Sequence, residues 1–230
     1  MDDLTQSIAL TLGASWASGI NLYAAVLVLG LLGASGAVDL PPGLDLLMEP
    51  PVLIAAAGMY LAEFFADKIP GVDTAWDALH TFIRIPAGAL MAVGAMGDVG
   101  PAGDLAVALL GGSVAAASHA AKAGTRVLIN TSPEPFSNWA ASLGEDIGVV
   151  GGLLLALKHP AVFLVALALF FLLLIWLLPK LWRGIRGVLA RIGRFFGGAR
   201  QATPPTDRQP ERLGSDRTLA DSGAGRKRQV

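Results

Sequence analysis

The chain has 230 residues, of which 53% are hydrophobic and 15% charged, with a formal net charge of -1 and no cysteine. A soluble domain carries about 25% charged residues, so this balance, with a mean hydropathy of +0.58, points to an integral membrane protein. The missing thiols exclude disulfides and thiolate metal sites.

The charges are segregated, since the first basic residue is Lys68 and twelve of the seventeen follow residue 160. The start, Met1-Asp2-Asp3, lacks the basic n-region of a secretory signal, so the first apolar run reads as a retained span. That run covers residues 4–34. As one helix it would be roughly 46 Å long, against a bilayer core of about 30 Å. It must tilt, protrude or break, and small and polar residues from Ser15 through Ser18, Gly19 and Asn21 to Tyr23 mark the place. Two readings stay open there: close helix packing on small residues, or a discontinuous helix whose freed backbone lines a site.

Residues 35–50 read as a loop punctuated by Gly36, Pro41, Pro42, Gly43 and Pro50, with only acidic charges. The second span covers 51–67 and ends in a polar cluster. Pro70-Gly71 makes a turn, and Asp73 or Thr74 is placed to cap the next helix. The third segment, 74–97, is amphipathic before Pro86 and apolar after it. It either spans as a whole or forms a re-entrant pair of half-helices buried in protein. A Gly/Pro turn at 98–104 leads to a fourth span, 105–129, and a Pro-containing loop at 130–135 leads to a fifth, from Ser137 to Leu157. The sixth span, 161–178, has no ionisable residue and reads as lipid-facing, with Pro179 as its end. Residues 179–198 read as a basic amphipathic helix on the membrane surface, suited to anionic lipid headgroups. Residues 199–230 have the composition of a disordered tail. Basic residues would set both termini in the cytoplasm of an inner-membrane protein.

The chemistry concentrates between two apolar runs. Glu63, Asp67, Lys68, Asp73, Asp77, His80 and Arg84 are all ionisable, and the last four step by four, three and four along one helix face. The fourth span adds His119, Lys122 and Arg126, and the fifth adds Asn138, Ser142, Glu145 and Asp146. With Asn21 and Tyr23 from the first run, these are the candidate binding or coupling residues. Charges inside a membrane are costly unless they meet one another, so they should converge in the bundle. A register device needs one or two polar groups, fewer than are present. Two chemistries compete. In a translocation path, His80, Arg84, His119, Lys122 and Arg126 would hold a small anionic or zwitterionic solute, while Glu63, Glu145 and Asp146 exchange protons or a cation. In a metal site, Asp77 and His80 would ligate at i, i+3 as in carboxylate-bridged bundles, against the repulsion of the nearby Lys and Arg. No nucleophile elbow, P-loop or dinucleotide fingerprint is present, and the residues imply no cofactor. A terminal Arg226-Lys227-Arg228 run is a solvated charge run rather than a nucleic-acid site.

Several of these motifs together resemble a family of small bacterial membrane proteins catalogued as a domain of unknown function (family 4126). They are Ser18-Gly19-Ile20-Asn21-Leu22-Tyr23, the stretch from Glu63 to Asp73 with His80 to Arg84, His119 to Arg126, and Asn130 to Pro135 continued by Ser142 to Asp146. The resemblance covers about residues 5–157 and implies a multi-span membrane domain with no established activity. It leaves the sixth span, basic helix and tail as additions.

The expected fold is therefore all-α: a transmembrane helix bundle over 1–178 with about six membrane segments, at least one broken or re-entrant, whose 3+3 arrangement admits an inverted repeat. The expected function is solute transport or permeation. A membrane-embedded enzyme acting on a lipid or small metabolite, and a structural membrane protein, are the alternatives, and the chain admits an oligomer.

Overall fold

A computed structural model describes residues 3–131 and 136–197 of the chain. The expected tail at 199–230 and most of the 130–135 loop lie outside the described residues, as do the side chains of Arg191 and Arg194. Six α-helices follow in order: α1 Asp3–Ala34, α2 Pro50–Ala66, α3 Val72–Met96, α4 Pro101–Ile129, α5 Phe136–Lys158 and α6 Pro160–Gly197. Among the described residues there is no strand. The 35–50 segment is more ordered than its composition suggests. It holds a 3-10 helix, Pro42–Met48, bent by 65° against α2. Leu44 buries its side chain beneath it, and Gly43 lies against Gly94 of α3.

The long first helix is not one span. Asn21 has non-helical backbone angles (φ -146°, ψ 95°) and breaks α1 into two arms. Gln6 and Ser7, at the start of the first arm, line the same cleft as Asp39, Leu40 and Leu157. Gly33, at the end of the second arm, packs on Leu40 as well. In a straight helix residues 6 and 33 would stand ~40 Å apart, so the arms must fold back to one end of the bundle. The first arm descends along α3, with Ser15 donating to the Gly88 carbonyl at 3.2 Å and Ser18 to the Arg84 carbonyl at 2.9 Å. The second arm climbs again, placing Leu29 in one core with Leu44, Met91 and Ala95.

This hairpin changes the topology read from the sequence. Residues 4–34 enter the bundle and return, and five helices, α2 to α6, run its length. One end carries the start of α1, the 35–49 segment, the 97–100 turn and His159. The other carries the 67–71 turn, the end of α4 and, through Gly184 packed on Leu128, the later part of α6. The start of α1 and the later part of α6 therefore lie at opposite ends of the bundle. The re-entrant element is also relocated. Segment 74–97 is the continuous helix α3, with Pro86 inside it. The serine hydroxyls from α1 reach the Arg84 and Gly88 carbonyls on either side of Pro86 and tie the first arm to α3. Pro179 likewise lies inside α6 rather than ending it, so the basic segment continues the same rod. Gly71, with φ 87°, starts α3. Asp73 sits in the first turn and accepts the Gly71 and Thr74 N–H groups at 2.9 and 2.6 Å.

Small residues let these helices approach, as expected where lipid supplies no hydrophobic drive for helix association. A Cβ on Gly19 would stand 1.9 Å from Ser118 Oγ and 2.3 Å from the Ala115 carbonyl oxygen of α4. The broken helix and the close small-residue packing, alternatives in the sequence, occur together at this bend. No break interrupts α4, so the two halves differ at this point.

Two outcomes follow. The cysteine-free chain allows single-cysteine labelling in sealed vesicles. Leu4→Cys, Ser35→Cys and Val99→Cys should react from one side and Ile69→Cys from the other. Labelling of Leu4→Cys from the Ile69 side would show a first helix that crosses. Gly19→Ala should lower stability in detergent by about 1–3 kcal/mol through overpacking, while Gly58→Ala, which meets nothing within 4 Å, should not.

Candidate functional site

Each helix contributes its charges for a local reason. Glu63 lies in the last turn of α2 and Asp67 caps it four residues later. Asp77 and Arg84 are seven apart, two turns along one face of α3, and Lys122 and Arg126 are four apart on α4. The turn at 67–71 and the weave of α3 and α4 bring these faces together with Glu145 of α5.

The result is one buried ion network of four carboxylates and three cations. Lys122 Nζ is its hub, at 2.9 Å from Glu63, 3.1 Å from Asp67, and 3.5 Å from both Asp77 and Glu145. Arg84 pairs with Glu63 and, at 3.1 Å, with Asp77. Arg126 grips Glu145 through two nitrogens, Nη2 at 2.7 Å and Nε at 3.2 Å, and Asp67 at 3.2 Å. Its remaining donors reach the Asp67 and Asn138 carbonyls. Arg84 and Arg126 are wholly buried. The Glu145 side chain, at 17% exposed, is the most open member.

The two central histidines are held by hydrogen bonds. A guanidinium only donates, so the 3.2 Å contact from Arg84 Nη1 makes His119 Nδ1 an acceptor. His119 is then neutral, its Nε2–H directed at Thr81 Oγ1, 2.7 Å away, and Thr81 donates onward to the Asp77 carbonyl. His80 donates from Nδ1 to the Trp76 carbonyl at 2.8 Å, contacts the Tyr23 hydroxyl through Nε2 at 3.0 Å, and stacks on the Trp76 ring. Asp77 and His80 thus turn to different partners and do not converge as the i, i+3 ligand reading expects.

Two smaller clusters flank the network. At the tip of the α1 hairpin, Asn21 Oδ1 accepts the Ala24 N–H and so caps the second arm. Its amide donates to Asp146 at 3.0 Å, and Tyr60 donates to the other Asp146 oxygen at 3.1 Å. Lys68 donates to the Phe64 carbonyl at 2.9 Å and to Ser142 at 3.4 Å, with its ammonium over the Phe64 ring. Near the basic end, Asn130 donates to both oxygens of Asp73 at 2.7 and 2.9 Å, and Asn138 donates to Asn130. Asp73 is a clamp on the turn, apart from the ion network.

A cavity of about 380 Å³ lies among α1, α4, α5 and α6. Of the residues expected from sequence, Lys122 and Glu145 line it. Trp16, Gly144, Gly148 and Phe170 make apolar walls. Gly144 and Thr125 are exposed at its rim. The sequence reading passed over Trp16, Tyr60, Thr81 and Asn130 as site residues. Tyr60 stands three residues before Glu63 and Thr81 four after Asp77, so helical spacing from the acidic residues would have marked both. Trp16 and Asn130 had no such signal.

Burying this many charges is not explained by stability, since an apolar replacement for a buried ion pair is often neutral or stabilising, whereas breaking one costs about 3–5 kcal/mol. Among the described residues, Glu63 Oε2, Asp67 Oδ1, Asp77 Oδ2 and Arg84 Nε are buried with no hydrogen-bond partner. Arg84→Met should therefore destabilise by about 3–5 kcal/mol, measured by unfolding in detergent micelles. The double change Glu63→Gln with Arg84→Met should recover part of that loss by removing one of the four carboxylates that two cations would then face.

Comparison with curated proteins and with solved structures gives no match. Residues 8–180 match the family described as "Domain of unknown function (DUF4126)". The match takes in α6 as far as Lys180, so the apolar sixth span is part of the family domain rather than an addition to it, while the basic residues beyond 180 lie outside the match. Its long apolar helices and re-entrant hairpin make this a multi-pass membrane protein of all-α fold, and the chain belongs to the DUF4126 family.

Proposed function

We propose that this protein moves a small solute across a cell inner membrane, with the buried ion network as the coupling element. The observation that carries the reading is the meeting, deep in the bundle, of three features: a capped half-helix tip at Asn21, the ion network, and a cavity that touches both Lys122 and Glu145. Broken helices whose ends face a mid-membrane site are the usual construction of solute carriers. Arg84 sits ~18 Å along α3 from the 67–71 turn, near the middle of a core about 30 Å thick.

A purely structural network needs no cavity at its edge, so the cavity beside Lys122 and Glu145 favours transport over scaffolding. An enzyme working at the interface would use Asp73, Asn130 and Asn138. Their donors and acceptors are spent on one another, which disfavours that alternative. In the transport reading Glu145 and Asp146 are coupling carboxylates, and Glu63 holds Lys122 and Arg84 in place. The end bearing Lys68, Lys180, Arg183 and Arg186 is cytoplasmic by the basic-residue rule. The start of α1 and the acidic 35–49 segment are then outside. Lys180, Arg183 and Arg186 meet anionic headgroups at the inner surface.

The test is an untargeted metabolite comparison in a host lacking the gene. Wild type should restore a specific set of metabolite levels, and Glu145→Gln and Lys122→Gln, present in the membrane at normal amount, should fail to do so. Asp104→Asn, in the first turn of α4 and remote from the network, should behave as wild type. If both network variants also restore the pattern, the transport assignment is wrong.

A further inference from the structure

The cavity beside the network has an uneven chemistry that names its ligand. Apart from Lys122 and Glu145 its walls are apolar or small, with Phe170 and Leu174 from α6 facing Gly144 and Gly148 from α5. Its rim opens outward at Gly144, Thr125 and Leu173, all exposed. Glu145 lies nine residues into α5, ~13 Å from that helix's start, and thus within the hydrocarbon depth of a bilayer. A mouth at that depth faces acyl chains.

The polar floor belongs to the ion network. Lys122 is surrounded by four carboxylates within 3.5 Å, so its charge is already met. The network counts four carboxylates against three cations, and Glu145, held by Arg126 and Lys122, is its most exposed carboxylate. His119, the nearest further titratable group, is neutral by its hydrogen bonds.

Resting on the transport reading and narrowing its substrate, we propose that the cavity admits an amphiphile sideways from the bilayer. It would be a hydrocarbon chain with an ammonium head, the chain lying between α5 and α6 and the head donating to the Glu145 carboxylate. The head supplies the positive charge that the network lacks.

Binding of radiolabelled dodecylamine to the full-length protein in nanodiscs, corrected for partition into empty nanodiscs, tests this. Saturable binding to one site is expected, at least about tenfold tighter than that of dodecanoate. Glu145→Gln should weaken it by about tenfold or more. Gly148→Leu should do the same by filling the cavity. A Cβ at Gly148 meets nothing within 4 Å, so this variant keeps its fold, to be checked by an unchanged melting temperature. Gly58→Leu on α2 should bind as wild type. Equal binding of dodecanoate, or binding indifferent to Gly148→Leu, would overturn the proposal. So would displacement by ethanolamine at the same concentration as by dodecylamine, which would indicate a water-borne amine. Failure of this binding alongside loss of the metabolite pattern in Glu145→Gln would leave transport standing with a soluble substrate. Binding without any metabolite effect would retain the site and remove the transport reading.

Discussion

Everything in this bundle answers to the desolvation of Lys122. An ammonium removed from water must be returned an equivalent field by its surroundings, and carboxylates from three helices supply it here. Because those carboxylates are themselves buried, they require Arg84 and Arg126, and the guanidinium donors left over require carbonyls at Asp67 and Asn138. One buried charge thereby fixes the mutual register of α2, α3, α4 and α5. The low dielectric that makes each contact strong also makes the loss of any one expensive. The network is thus rigid in composition yet unbalanced in charge, a combination suited to responding to one added cation.

The hairpin of α1 supplies what the ion network alone cannot: free backbone at depth. A continuous helix satisfies its own N–H and C=O groups, and a break releases them. Asn21 answers this within a few atoms, its carbonyl oxygen capping the second arm and its amide turned to Asp146. Ser15 and Ser18 tie the first arm to the Gly88 and Arg84 carbonyls, so the bent helix is anchored along α3 by side-chain hydrogen bonds.

Much of this was legible from residue spacing. Charges at helical intervals inside apolar runs predict convergence, because the membrane leaves no cheaper arrangement, and the pairing of spans four and five with spans two and three follows from opposite signs. Interruption of the 4–34 run was legible from its excess length. That the interruption is a reversal was not, since composition carries no direction. Only the proximity of Gln6, Leu40 and Gly33 reveals it. Prolines misled twice. Pro86 and Pro179 both read as boundaries, yet both lie inside helices. The cavity was invisible in sequence because it is made by what α4 and α5 lack: glycines leave a gap that α6 spans from outside.

That last helix has a mechanical consequence. Phe170 and Leu174, which wall the cavity, and Lys180, Arg183 and Arg186 belong to one uninterrupted rod. From Leu174 to Arg186 is ~18 Å of helix, a lever arm whose pivot is the packing of Phe163 beside Gly13. Gly184 seated on Leu128 fastens the rod again beyond the cavity, so the width of the gap is set by packing on both sides of it and by no loop.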